Sequence, residues 1–441
     1  MLGGALVVAG SARESLAAGA AGAADDKRPI PDYDGRPDAA PSFGDGALWV
    51  PRVLASPLYL TSEFALRRPI GAAVRFVEGA PSEGGEGRVT LLPTFVADLG
   101  FRPWLGAWLG VDRFPVRGTR LAVRAATFGV HQLDLGIEER IDATPSPHAA
   151  DTTGATDRTQ FDVALRADLL RRDDAIFHGL GPITRPDDRV RFGVDRLGAE
   201  LEGRLRATRW LDARVSTGVR SIALRDADAF ARPYTALFEG VAAALDTRAR
   251  SPGTGSGVRL EADVEHASDV ARAKSASEPG GGAPATATQW VRWGGALSAS
   301  IDVTGTRRIV TASIAARFAD PVRAGGLDPS PLEQVVLGGE RLRGFLDGRL
   351  VGRSALVAAA SWQWPAWAFV DGFVLVEAGN VFGPHLAGLS GRLLRGSAAI
   401  GLRGGGEGFR FELLTGAGTD PFGEGGRLSS FRLALSATRR F

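Results

Sequence analysis

The stretch that decides the fold is Ser430-Phe431-Arg432-Leu433-Ala434-Leu435-Ser436-Ala437-Thr438-Arg439-Arg440-Phe441. Its odd positions are mostly apolar, while Arg432, Ser436, Thr438 and Arg440 fall on the opposite face; Arg439 departs from the pattern. Period two is the signature of a β-strand with one greasy and one wet side. A soluble sandwich ending in such a strand would leave an unpaired edge in water. A closed barrel removes that edge by pairing its last strand with its first, and a terminal aromatic such as Phe441 then suits the membrane interface.

The same alternation recurs upstream. From Leu197 to Thr208 every odd residue is apolar or Gly, and the even set contains Glu200, Glu202, Arg204 and Arg206. Trp293, Gly295, Leu297, Ala299, Ile301 and Val303 share a second apolar face, opposite Ser298, Ser300, Asp302 and Thr304. Sandwich strands usually run about five or six residues. Spanning a bilayer takes roughly nine to eleven, and these runs are longer. The pattern predicts an all-β transmembrane antiparallel barrel of about sixteen strands. They fall at 88–98, 102–112, 118–140, 158–170, 174–181, 190–208, 212–225, 232–248, 256–266, 290–304, 308–320, 352–364, 367–382, 392–403, 408–418 and 430–441. Short turns at 209–211, 305–307, 365–366 and 404–407 alternate with long loops at 141–157, 267–289, 321–351 and 419–429. Short periplasmic turns and long external loops are the asymmetry expected of such barrels. Trp210, Trp364 and Trp367 stand beside short turns, where an aromatic girdle belongs; a core role is the alternative.

Composition agrees. The 441 residues include 59 Gly, 9 Trp and no Cys, which removes disulfides, thiolate catalysis and thiolate-bound zinc. A formal charge of +2, with Lys27 and Lys274 the only lysines, offers no polybasic face for nucleic acid. No run of about eighteen apolar residues could form a membrane-spanning helix. The five histidines show no metal-ligand spacing, and Glu265-His266 near Asp263 reads as a strand end. Gly253-Thr254-Gly255-Ser256-Gly257 lacks the glycine spacing of a nucleophile elbow. Gly404-Gly405-Gly406 reads as a turn and not a phosphate loop. We therefore expect no enzyme activity, no cofactor and no metal.

Residues 1–24 read as an atypical export signal, with Leu2 to Ala9 apolar and Ala18 to Ala24 rich in small residues but no positive charge ahead of them. Residues 25–87 read as a linker. Within it a short helix is expected near 57–68, capped by Ser56, begun by Pro57 and stopped by Pro69. The barrel is assigned to 88–441.

The final strand, with Phe431, Leu433, Leu435 and Phe441, resembles the C-terminal signal of bacterial outer-membrane barrels. Two further segments narrow the resemblance: Leu337-Gly338-Gly339-Glu340-Arg341-Leu342-Arg343-Gly344-Phe345 and Phe373-Val374-Leu375-Val376-Glu377-Ala378-Gly379-Asn380. Together they look like the Omp85 superfamily (bacterial surface antigen D15), whose members include BamA and TamA. That family carries an Arg-Gly-Phe/Tyr tip on external loop six and a carboxylate-x-Gly segment on its thirteenth strand. Phe177-His178-Gly179-Leu180-Gly181-Pro182 resembles a further aromatic-Gly-x-Gly segment, with His178 in place of an aromatic. The resemblance implies a loop-six lock in the lumen built from Arg343, Gly344, Phe345, Glu377 and Gly379. Glu377 stands where the family usually has Asp. An Arg343 guanidinium would grip that carboxylate with two prongs, Gly344 would permit a tight tip, and Gly379 would clear room beside the carboxylate. It further implies the outer membrane, contact with its lipid, a monomeric barrel, and work in assembly or translocation on client outer-membrane proteins or with a periplasmic partner. The family's insertases carry POTRA domains, and residues 26–87 show no such pattern. The alternative is a passive pore or structural barrel.

Overall fold

Side chains of opposite character on alternate residues can be satisfied together only if each strand separates two media, and closure into a cylinder does this. The structure, a computed structural model, describes residues 89–116, 118–143, 159–208, 210–248, 255–270, 286–323, 325–367, 370–406 and 409–439. The expected export signal, linker and helix near 57–68 lie outside these residues, as does Phe441. Eleven strands come first: β1 (Val89–Asp98), β2 (Trp104–Asp112), β3 (Thr119–Thr127), β4 (Gln132–Asp142), β5 (Gln160–Phe177), β6 (Val190–Arg206), β7 (Leu211–Arg225), β8 (Tyr234–Asp246), β9 (Gly257–Asp269), β10 (Gln289–Asp302) and β11 (Ile309–Pro321). A small hairpin follows, β12 (Val335–Leu337) with β13 (Leu350–Gly352). The wall resumes with β14 (Ser354–Trp367), β15 (Val370–Phe382), β16 (Arg395–Gly406), β17 (Phe409–Pro421) and β18 (Leu428–Arg439). Every wall strand runs antiparallel to its neighbours, and β1 pairs with β18 to close a sixteen-stranded barrel.

Two errors of the sequence reading cancel in that count. The expected strand 118–140 is two strands, reversed at Phe128–His131. Gly129 adopts φ 72° there, and the Thr127 hydroxyl donates to the Gly129 and Gln132 carbonyls (3.0 and 2.9 Å). The expected pair 158–170 and 174–181 is one strand, β5. The run Arg171-Arg172-Asp173-Asp174, taken for a break, stays in the wall because its charges alternate sides. Arg172 pairs with Asp174, while Arg171 reaches Asp195 across β6. A bulge between Arg172 and Ala175 absorbs the crowding. The shifted count also moves the connection from Ala143 to Thr159. It was expected outside, yet its flanking residues Asp142 and Gln160 lie at the end of the barrel where β6 gives way to β7 and β10 to β11. Loop six, residues 322–353, lies at the opposite, external end.

Outward positions are apolar and exposed, as at Leu165 (57 %), Leu197 (58 %), Leu201 and Ile314. Phe431 and Leu433 of the terminal strand lie on this surface as well, and Leu435 is half-buried there. Trp210, Trp362 and Trp367 are exposed at the short-turn end. Inward positions carry ion pairs that the lumen must accommodate, such as Arg166 with Glu138 (2.6 Å) and Glu202 (2.9 Å), and Arg259 with Asp246 (2.9 Å).

Candidate functional site: loop six and the seam

Loop six folds into the lumen, which costs it entropy and demands anchors. At its tip, Phe345 is fully buried with Leu337, Leu342, Leu350, Val357 and Val381. The tip backbone lies directly on β17. A Cβ at Gly344 would meet the Ala417 carbonyl oxygen at 2.0 Å, and one at Gly418 would meet the Phe345 ring at 2.4 Å. Glycine is required at both places because two backbones, and a backbone and a ring, are in contact.

Glu377, on β15, points inward and is 8 % exposed. Its carboxylate accepts hydrogen bonds from the backbone N–H groups of Leu342 (3.0 Å) and Arg343 (2.5 Å) and from the Ser397 hydroxyl of β16 (3.0 Å). The Ser397 oxygen in turn accepts from the Gly344 N–H at 2.9 Å. The expected two-pronged grip of the Arg343 guanidinium on Glu377 does not form. With the Arg343 amide already aimed at the carboxylate, the side chain leaves in another direction. It pairs with Glu412 of β17 at 2.8 Å and lies 5.8 Å from the Phe373 ring centroid. Burial opposes its charge, but the Glu412 contact together with Glu377 and Glu340 nearby outweighs burial and holds the guanidinium above its ordinary pKa. Gly379 does not border the carboxylate in the expected way. A Cβ there would meet the Leu356 carbonyl at 2.5 Å and Val357 Cγ2 at 2.9 Å, so this glycine lets Val357 lean into the cluster around Phe345. The structure thus assembles Arg343, Gly344, Phe345, Glu377 and Gly379 at one place in the lumen, with backbone amides as the carboxylate's main partners.

The alternating pattern hid the rest of the anchor set. Glu333, 2 % exposed near the start of loop six, meets Arg220 (3.0 Å), Arg292 (3.2 Å), the Trp290 indole N–H (3.2 Å) and the Tyr234 hydroxyl. Arg349, on the descending limb, donates to the Thr184 hydroxyl (2.5 Å) and carbonyl (2.7 Å). The nearby Gly181 N–H donates to the Val351 carbonyl at 2.8 Å, so the segment Phe177–Pro182 docks on loop six. In the sequence Glu333, Arg349 and Thr184 stood in loops and Arg220 and Arg292 on strands, with nothing to mark them as partners.

The seam between β1 and β18 is short. Among the described residues its register comprises four paired positions, from Phe95 with Ala437 to Asp98 with Ala434, extended by a hydrogen bond from the Leu99 N–H to the Leu433 carbonyl at 2.9 Å, against eight or more paired positions at every other junction of the wall. Pro93 on β1 has no N–H to donate, as suits a strand bordering a weak junction. Among the described residues, one charged clasp crosses the seam. Arg432 donates from Nε and Nη2 to the Asp98 carboxylate, at 2.7 Å in its shortest contact. The other terminal nitrogen of Arg432 donates to the carbonyls of Gly339 (2.5 Å) and Arg343 (3.5 Å). Ser430 adds a hydrogen bond to the Gly344 carbonyl at 2.8 Å. The closing strand therefore holds both the seam and the loop-six tip.

No protein-family model and no curated protein matches the chain. Among solved structures, BamA from Haemophilus ducreyi lacking POTRA domains 1-3 superposes with a TM-score of 0.51 at 12% identity, over 79% of this chain and 70% of that one. CdiB from Acinetobacter baumannii (TM-score 0.47, 12% identity) and CdiB from Escherichia coli (0.46, 16%) align over 79% and 81% of this chain. They align over 59% and 64% of their own length, so the chain spans less than two thirds of the CdiB chains. At such identities the likeness is one of fold. The chain is a closed, sixteen-stranded antiparallel β-barrel with the fold seen in BamA.

Proposed function

We propose that this barrel assembles or translocates outer-membrane proteins by opening between β1 and β18 so that a client strand can pair with the freed edge. The observation that carries the reading is that, among the described residues, the seam has four paired positions and the Asp98–Arg432 clasp where every other junction of the wall has a ladder of eight or more. Opening a seam in lipid exposes backbone groups that find no water, so the edge is expensive to leave bare and strongly favours an incoming strand. Fewer native pairs lower the cost of reaching that state. No bond chemistry is needed, and the proposal assigns no catalytic residue, cofactor or metal. The functional unit is one barrel in outer-membrane lipid, with client barrels or a periplasmic protein as partners.

The chain has no native cysteine, which makes a direct test clean. Cysteines at Ala97 and Leu435, partners across the seam, would tether it on oxidation. A tether between Ala296 and Ala315 on the long β10–β11 ladder is the control. Expected is loss of client insertion in cells with the seam tether and normal insertion with the control. Normal insertion with both tethers closed, or after depletion of the protein, would overturn the proposal. The second reading, a passive pore, draws on the charged lumen wall around Arg166 and Arg259. It requires steady conductance in a planar bilayer that the seam tether leaves unchanged.

A further inference from the structure

Ionisable side chains on the membrane-facing surface of a barrel are costly and call for a partner. Near its external border this wall carries a set of them. On the outward faces of β5, β6 and β7, Arg171 pairs with Asp195 (3.0 Å) and Arg225 joins Asp195 (2.8 Å) to Asp173. His131, in the turn after β3, meets Asp173 at 2.7 Å. Gly193 makes the arrangement possible, since a Cβ there would lie 2.6 Å from the Arg225 Nε. Two further His–carboxylate pairs occupy the same wall farther round, His266 with Glu239 (3.2 Å) and His385 with Asp320 (3.1 Å).

We propose that the Arg171–Arg225–His131 cluster is a binding surface for the phosphate of a phosphorylated glycolipid in the outer leaflet. Three features carry this. First, the nitrogen-bearing side chains are the accessible members: side-chain exposure is 61 % for His131, 50 % for Arg171 and 39 % for Arg225, against 25 % for Asp173 and 28 % for Asp195. Second, both carboxylates are committed to the two arginines, which fixes the guanidinium planes, while Arg171 uses Nε and one terminal nitrogen on Asp195 and keeps the other for a ligand. Bidentate or side-on guanidinium contacts are well matched to phosphate. Third, Leu197, and beyond it Leu201 and Leu165, form an exposed apolar outward face membrane-ward of the cluster on β5 and β6, where the ligand's acyl chains would pack. An amphiphile with phosphate above and hydrocarbon below satisfies both halves of the surface; free phosphate satisfies one.

The full-length barrel in phosphatidylcholine nanodiscs, with its mobility before and after heating as the folding control, provides the test. Native mass spectrometry would count bound lipid after titration with bisphosphorylated lipid A, with its dephosphorylated form and with phosphatidylglycerol. Expected is retention of the bisphosphorylated lipid at least tenfold tighter than either other lipid, unaffected by millimolar inorganic phosphate. Arg171→Gln should weaken it about tenfold and Arg171→Lys less. Equal retention of the dephosphorylated form, preference for phosphatidylglycerol, competition by inorganic phosphate, or undiminished binding by a folded Arg171→Gln barrel would each overturn the proposal. Should Arg171→Gln fail to fold, the three-lipid comparison on the unaltered protein decides alone.

Discussion

Glu377→Ala should release the tip of loop six far more than Arg343→Ala does, and the difference follows from where the hydrogen bonds go. Removing the Glu377 carboxylate strips two buried backbone N–H groups, those of Leu342 and Arg343, of their acceptor. Each orphaned donor costs about 1–3 kcal/mol, and these bonds are charge-assisted. The sum is about 4 kcal/mol, or about a thousandfold in the local opening equilibrium. Arg343→Ala removes an ion pair whose two side chains remain about one-fifth exposed, together with a contact to the Phe373 ring, and leaves both amides satisfied. That loss is about 1–1.5 kcal/mol, about tenfold. Hydrogen exchange of the Leu342 and Arg343 amides in the folded barrel reads both numbers directly. Glu377→Gln should fall between them, since the amide can accept one bond and turns a donor towards the other. Comparable acceleration in the two alanine variants, or wild-type exchange in Glu377→Ala, would falsify the backbone-amide account and restore the guanidinium as the gripping group.

Gly344→Ala should lift the tip from β17, because its Cβ would lie 2.0 Å from a carbonyl oxygen that belongs to the wall; exchange at residues 342–345 should accelerate while heat-modified electrophoretic mobility stays that of a closed barrel. Burial, with Arg349 and Arg189 nearby, pushes the His178 imidazole from 6.5 down to about 3. The folded state therefore binds fewer protons than the released one between those values, so docking of residues 178–189 is fully present above pH 6.5 and weakens as pH falls towards 3. Protease cleavage in that segment should rise over this window and be flat with pH in His178→Phe. Asp98→Ala should speed exchange at Phe95 to Asp98 of β1 by about tenfold to a hundredfold, with the long β10–β11 ladder unchanged; equal acceleration at both junctions would show global destabilisation instead.

Barrel closure and the lumen and lipid faces were legible from period two, the strand number came out right only because two errors cancelled, and the residues of the lock were suggested by the resemblance in their motifs. Strand boundaries were less legible, and for a definite reason. Thr127-Phe128-Gly129-Val130 keeps an apolar rhythm through a reversal, and only Gly129's left-handed backbone marks the turn. In the opposite sense, Arg171 to Asp174 looks like a loop in a linear reading. In a barrel, charges can stand on both faces where a strand leaves the apolar band, inward into the lumen and outward at the headgroups. The partners of the lock were hidden because a carboxylate that accepts from backbone amides leaves no complementary residue to find. Nothing in Glu377 distinguishes a lock fastened to amides from one fastened to a guanidinium. The Arg432–Asp98 clasp joins residues from opposite ends of the described chain, a contact that alternation places on the correct face without naming the pair.

A seam of four paired positions would be a liability if the cylinder relied on backbone pairing alone, since every other junction has at least twice as many. Loop six supplies the compensation from inside. Glu333 ties its start to Arg220 of β7 and Arg292 of β10, on the wall opposite the seam. The Glu377 and Ser397 contacts tie its tip to β15 and β16. Arg432 then joins that tip to β18 and, through Asp98, to β1. The loop is a strut across the lumen whose far end shares one guanidinium with the seam. Opening between β1 and β18 must therefore either break the Asp98 contact and leave Arg432 on the loop, or keep it and pull the tip. The first route sacrifices one charged pair whose side chains are about one-tenth exposed, and leaves the Arg432 guanidinium its loop-six carbonyls. The second would strip the buried Glu377 carboxylate of its amides as well, at several-fold greater cost. A seam that opens by the cheaper route leaves loop six in place, so the strut can hold the rest of the cylinder in register while one edge is free.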